Sequence, residues 1–350
     1  MGGNRARRLL LTALLLSPLA TFPACLSVGA YPIPIADVVA AVALKASQPL
    51  HAVLGSAGAG LGADATIPRV YEVVLFDIRL PRVLLAMVVG SALAVSGAVL
   101  QAIFRNPLVD SYILGISSGA AFGAALAVGL SLSLGVTPLA FLFALLAVSL
   151  TYSLARIGGR VTPISLVLAG IIVNAFFSAF TSLLKFLMEQ EKLVVVVHWL
   201  MGSFADADWH AVRTVAPVVL AGCALVCSMR WQLNILSFGE EAKALGVEVE
   251  RLKAAFVAAA SLVTASAVAF CGIIGWVGLM VPHIVRMAFG PDHRTLVPLA
   301  ATVGASFMVL ADTLARSVTT YEIPVGILTT LLGIPFFAYL LRRTGGGWHA

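Results

Sequence analysis

Apolar residues run through this chain in long stretches, broken by brief clusters of Gly, Pro and charge. A bilayer-spanning helix needs roughly 20 consecutive apolar residues. Ten such runs are read, at 9–30, 83–104, 113–131, 136–155, 162–186, 211–229, 254–274, 276–290, 296–316 and 325–341. The third and eighth are short, and several carry Pro or Gly, which helices in lipid tolerate where neighbours satisfy the backbone. The pattern predicts an all-α, polytopic membrane protein whose residues 1–350 form one domain. Two stretches interrupt it. Residues 31–82 form a long outer connection with a short interfacial helix at 35–45. The centre of that connection, "SQPLHAVLGSAGAGLGADATIP", is rich in Gly and Ala and predicts a flexible surface loop. Residues 230–253 form a polar loop between the sixth and seventh spans.

Composition agrees with the pattern. Hydrophobic residues make up 60% of the chain and charged ones 11%, against about 25% charged in a soluble domain, and mean hydropathy is +1.03. The net charge of +6 reads as basic loops beside anionic lipid, not as a nucleic-acid surface. With the N-terminus inside, 14 of the 22 Lys and Arg fall on inner segments, which favours both termini in the cytoplasm. Arg5, Arg7 and Arg8 before the first apolar run resemble a signal peptide, but "FPAC" is a poor cleavage site and an uncleaved first helix is expected. Cys25, Cys223, Cys227 and Cys271 lie in apolar runs without a matching Cys or His pair, so they read as packing residues and no metal site is expected.

The stretch "SFGEEAKALGVEVERLK" (237–253) is soluble in character. Ser237 with Glu240 three residues on reads as a capping box, and Gly246 as a helix stop, which predicts a two-turn helix from Gly239 to Leu245 on the inner side. In "ILGISSGAAFGAALA", Gly115, Gly119 and Gly123 recur every four residues and predict close helix packing.

Longer segments carry a family resemblance. "RLPRVLLAMVVGSALAVSGAVLQAIFRNPLVDSYILGISSGAAFGAALA" (79–127), "HWLMGSFADADW" (198–209), "GWVGLMVPHIVRMAFGPDHRTLVPLAATVGASFMVLADTLAR" (275–316) and "EIPVGILTTLLGIPFFAYLLRR" (322–343) resemble permease subunits of type II ABC importers for iron chelates, haem and vitamin B12, the FecCD-type family. The resemblance implies two copies of ten helices each around a central pathway in the cell inner membrane. It also implies two cytoplasmic ATPase subunits and a periplasmic binding protein. Ser237, Gly239, Glu240, Glu241, Ala242, Leu245 and Gly246 match the coupling helix that seats in the ATPase. Arg79, Arg82 and Arg316 match outer residues that receive acidic groups of the binding protein. The expected cargo is an iron chelate, with cobalamin or an oxyanion as alternatives.

The chain lacks a G-x-x-x-x-G-K-[ST] phosphate loop. No cofactor is therefore expected on it, and ATP with Mg²⁺ belongs to the partner ATPase. It is expected to be a transport subunit, not an enzyme. Gln101 and Asn174 are polar groups at membrane depth, and Asn106 and Pro107 sit at the inner end of the pathway, so all four are pathway or gate candidates. Helix–helix hydrogen bonding reads equally well for Gln101 and Asn174. His283 and Arg286 read as structural or gate-supporting. An ion-coupled transporter would need intramembrane acids, and the chain offers essentially Asp312. An intramembrane enzyme would need a convergent Ser/His or Asp pair, which is not found.

Overall fold

In the computed structural model, residues 2–29, 31–54, 69–239, 241–242, 246–319 and 321–344 are described. The first apolar run is two helices, α1 (Gly2–Leu15) and α2 (Ser17–Ser27), bent by 46°. Pro18 opens α2 where a missing N–H costs least. Next comes α3 (Ile35–Leu54), which continues nine residues past the short helix expected at 35–45 and takes up the start of the expected loop. The remainder of that loop, 55–68, lies outside the described residues.

The second span also begins earlier than its apolar run. From Arg69 to Phe104 the chain is continuously helical for 36 residues, as α4 (Arg69–Glu72), a π-helical segment Val73–Arg79 and α5 (Leu80–Phe104). Pro81 cannot donate to the carbonyl four residues back, and Leu80 N–H reaches five back to Leu75. A 3₁₀ turn, Ser111–Leu114, leads into α6 (Ile116–Gly129), then α7 (Val136–Ala155). A two-stranded turn, β1 (Arg156–Ile157) and β2 (Arg160–Val161), joins it to α8 (Pro163–Leu187), which starts on a Thr162–Ser165 capping box. The helix α9 (Gln190–Leu200), which apolar periodicity did not pick out, leads into α10 (Trp209–Ser228). In the expected inner loop, α11 (Arg230–Leu236) is helical and α12 (Val249–Cys271) starts five residues early. Last come α13 (Val277–Phe289), α14 (His293–Ala315) and α15 (Val325–Thr344).

Among the described residues, seven helices are long and apolar enough to cross a membrane, α1 with α2 qualifies as a bent eighth, and α6 and α13 are shorter apolar helices. Burial separates centre from rim: 78% of the apolar window containing α5 is inside the bundle, against 28% for α10 and α15. Close glycine contacts seat α5. A Cβ on Gly97 would lie 1.9 Å from the Gly278 carbonyl oxygen of α13, and one on Gly90 would lie 2.1 Å from the Gly304 carbonyl oxygen of α14. Of the three glycines expected to line one face, Gly119 and Gly123 meet the Phe143 and Leu139 carbonyls of α7. Gly115 departs from that reading: it precedes α6 with φ 85°, a left-handed junction against Val173 of α8.

Candidate functional site: the inner mouth and the broken span

The ends of α5, α11, α13 and α14 on the side expected to face the cytoplasm, the inner side, surround a cavity of about 550 Å³. Gln101 and Arg105 reach it from the end of α5, Asn106 and Pro107 from the turn after it, and His283 and Arg286 from α13. Three of the four sequence candidates for the pathway thus converge here. Gln101 is 3% exposed; its amide donates to the Gly278 carbonyl at 3.1 Å and its oxygen accepts from Arg286 Nη2 at 2.8 Å. Asn106 forms the turn itself, its side chain accepting from Leu108 N–H at 2.9 Å. Asn174 lies apart, on α8, where its amide donates to the Tyr112 carbonyl at 3.3 Å.

The same cavity borders the polar stretch after α11. Ser237 lines it, but not as an N-cap: its backbone is helical (φ −64°, ψ −21°), it ends α11, and its hydroxyl donates back to the Leu233 carbonyl at 3.1 Å. The expected capping box therefore gives way to a helix end, because Ser237 continues the turns begun at Arg230. Glu240 and Leu245 lie outside the described residues. Gly239 has φ 69° and sits where an added Cβ would be 2.8 Å from Arg105 Nη1, so the end of α5 touches this stretch directly. Glu241 and Ala242 form part of a 3₁₀ turn, with Ala242 fully buried, and Gly246 has the left-handed φ of 75° that a helix stop uses.

Asn234 of α11 joins this stretch to the start of α14. Its Nδ2 donates to Asp292 Oδ1 at 2.7 Å, and its Oδ1 accepts from His293 N–H at 2.9 Å and faces His293 Nδ1 at 2.8 Å. Arg294 lies 3.9 Å over the Trp231 ring of α11. The Arg294 backbone N–H and the Asn234 amide hold the Asp292 carboxyl below the usual carboxylate range. A displacement of α11 would therefore pull directly on the α13–α14 corner.

Between α12 and α13 the chain runs non-helically through residues 272–276. Such backbone at membrane depth persists only where protein or a water-filled cavity satisfies it. Here Ser203 N–H donates to the Cys271 carbonyl at 2.8 Å, and the Tyr112 hydroxyl donates to the Ile274 carbonyl. Trp276 is left-handed (φ 73°), an unusual state for a bulky residue. Its ring fills the space over Gly333 of α15, where a Cβ would lie 2.6 Å from it. Sequence reading places a break between spans here but misses Trp276; Gly272 and Gly275, flanking "II", are its signal.

The outer arginines differ from expectation. Arg79, Arg82 and Asp312 are 5%, 8% and 0% exposed. Arg82 Nε and Nη2 donate to the Asp312 carboxylate at 2.9–3.1 Å, and Nη1 donates to both Glu322 oxygens at 2.9 Å. Arg79 donates to the Leu26 carbonyl at 2.8 Å and to the Tyr31 carbonyl. Arg316 donates to the Cys25 carbonyl at 2.6 Å and pairs with Asp312 at 3.7 Å. Their donors point into the bundle, so this conformation does not present them to an outside carboxylate.

Among the described residues no three His, Cys, Asp or Glu side chains converge as a metal site. The FecCD transport family matches residues 14–343. The cobalamin import system permease protein of Halobacterium salinarum is 47% identical over 279 residues, covering 79% of this chain and 75% of that one. The molybdate import system permease protein of Haemophilus influenzae is 42% identical over 294 residues, covering 81% and 87%. A solved metal-chelate type ABC transporter in an inward-facing conformation superposes with a TM-score of 0.81 at 37% identity, covering 95% of this chain and 99% of that one. A multi-pass bundle with a polar segment at its inner mouth, matched over nearly its whole length, identifies this chain as a member of the FecCD transport family and a permease subunit of an ABC importer.

Proposed function

We propose that two copies of this chain form the pathway of an importer driven by two cytoplasmic ATPase subunits. A periplasmic binding protein would deliver a bulky metal-centred ligand, cobalamin first and an iron chelate such as a ferric siderophore or haem second. The observation that carries the reading is the linkage at the inner mouth. The 237–246 stretch touches Arg105 at the end of α5 and, through α11 and Asn234, the start of α14. ATPase closure acting on this stretch would move both helices as rigid bodies. Cobalamin stands ahead of the iron chelates on the 47% identity to the halobacterial permease, and the metal-chelate structural neighbour supports the second reading.

Proteoliposomes holding the permease, its ATPase and its binding protein test this. ATP-dependent uptake of labelled cobalamin, haem, a ferric siderophore and molybdate would be compared, with the Glu240→Arg/Glu241→Arg double variant as the coupling control. Cobalamin uptake lost in the control is the expected result. Uptake of molybdate alone would overturn the bulky-ligand reading, and uptake unchanged in the control would remove the coupling role of the stretch. Native mass spectrometry of the solubilised complex tests the two-copy assembly.

A further inference from the structure

The polar stretch after α11 has a second neighbour on the inner side. The strands β1 and β2 turn on Gly158 and Gly159, both left-handed (φ 58° and 80°), and carry the chain from the end of α7 to the start of α8. Val161 is buried there and gripped by the first turns of α12. Its N–H donates to Glu250 Oε2 at 3.0 Å, and its carbonyl accepts from Lys253 Nζ at 3.0 Å. Lys253 Nζ also donates to Glu250 Oε1 at 3.0 Å, so the two side chains close a ring on one residue's backbone. Lys253 is only 7% exposed. An ammonium that far from water is costly unless its partners stay in place, and so is an orphaned Val161 N–H. Drawing the base of α12 away from the hairpin would leave both unmet. The hairpin therefore follows α12.

Both sides of this link bear on movement. On one side, Ala242 of the 237–246 stretch and Val249 of α12 belong to one buried apolar cluster, which seats the stretch on the base of α12. On the other, Val161 directly precedes the Thr162 cap that starts α8. α8 bears on the 3₁₀ turn at two points. A Cβ on Gly170 would lie 1.9 Å from the Ile113 carbonyl oxygen, and Asn174 is bonded to the Tyr112 carbonyl. Inward of that fulcrum runs an arm of about 10 Å, from Pro163 to Ala169. The arm borders a cavity of about 430 Å³ that Phe104, Asn106 and Val109 also line, so it has room to swing. Apolar contact has no direction and lets such an arm slide. The hydrogen bonds to Val161 are the ones that run from α12 to the 156–169 segment among the described residues. We propose, on the reading that the ATPase drives the 237–246 stretch, that Glu250 and Lys253 are positioning residues that carry this movement to the inner arm of α8. They thereby set how close that arm stands to the Asn106 turn at the inner mouth.

Hydrogen-exchange mass spectrometry on the permease with its ATPase subunits in nanodiscs tests this, comparing the nucleotide-free complex with one trapped by ATP, Mg²⁺ and vanadate. In the wild type, exchange is expected to change between the two states at both 237–246 and 166–169. In Lys253→Met the change at 237–246 is expected to persist while that at 166–169 is lost, and Lys253→Arg, which keeps a charged donor, should restore part of it. Glu250→Ala, truncating a partly exposed side chain, should also diminish the change at 166–169, and it carries the test if Lys253→Met does not fold. Thr162→Ala loosens the cap of α8 without touching the clamp. It is expected to speed exchange at 166–169 in both states and to keep the difference between them. A difference that survives in both clamp variants, is lost equally in Thr162→Ala, or is absent from the wild type while 237–246 responds, would overturn the proposal. A wild type with no response at 237–246 would instead overturn the coupling role of that stretch, and the role of the clamp with it.

Discussion

The two ends of α5 treat charge in opposite ways. At the outer end, Arg79 and Arg82 are met inside the bundle by the Leu26 and Tyr31 carbonyls and by Asp312 and Glu322, and of the three arginines there Arg316 alone keeps a buried nitrogen, Nε, without a hydrogen bond. At the inner end, Arg286 and His293 each keep a buried atom without a partner beside an open cavity. The outer end is stapled across α2, α5, α14 and the lead into α15, while the inner end is joined mainly by single hydrogen bonds through Asn234. The contrast teaches where this fold resists change and where it is prepared to move. A buried charge with all its donors matched fixes one geometry, and a partly matched polar site leaves room for another.

Breaking the outer staple has the largest expected effect. Asp312→Ala leaves Arg82 with only the half-exposed Glu322 and takes the carboxylate from Arg316, and a loss of about 3–5 kcal/mol is expected, seen as a large drop in melting temperature or in folded yield. The paired change Arg82→Leu/Asp312→Leu sharpens the point. Replacing both charges with apolar groups should recover part of that stability, because the Arg82 charge is no longer left in the bundle, while Arg316 still loses Asp312. A double variant as unstable as the single one would show that Arg82 acts through Glu322 instead.

At the inner end, Asn234→Ala is expected to cost about 1–3 kcal/mol, since Asp292 and His293 lose a shared partner. Its signature is functional: ATP hydrolysis by the complex should continue while uptake falls, because α11 no longer pulls on α14. Equal loss of both activities would count against the link. Glu322→Gln should matter least among the outer residues, within about 1 kcal/mol, since that carboxylate is 47% exposed and solvent screens it.

The smallest effect is a pH dependence at Asp292. Its folded carboxyl lies below its usual value, so its contribution is present above the ordinary carboxylate pKa and is lost as pH falls through the lowered one. Melting temperatures of the wild type and Asp292→Asn should therefore differ at neutral pH and converge in acid. A gap that persists in acid would assign the effect to packing.

Much of the architecture was legible without coordinates. Apolar runs of bilayer length located the spans, including the two short ones that became α6 and α13, because lipid forces each crossing backbone to satisfy itself as a helix. Asn106 and Pro107 are read from the sequence at the inner end of a span and Gln101 only as a polar group at membrane depth; the structure brings all three to one cavity. Gly119 and Gly123 lie against the Phe143 and Leu139 carbonyls, and their four-residue spacing points to such close approach in lipid. The helical stretches 46–54 and 69–79 were not seen, because they lack a long apolar run.

What the sequence could not determine was the direction of its charges. Arg79 and Arg82 flank a span edge, where a pattern argument places them facing water; Asp312, 230 positions away from Arg82, turns that side chain inward. Ser237 carried the residues of a cap, yet the helix before it claimed its backbone. The cavity gathers residues from four helices, so no local spacing announces it. Hydrophobic burial in lipid is a property of each segment and can be read one segment at a time. The pairing of a charge is a property of two segments, and only their packing decides it.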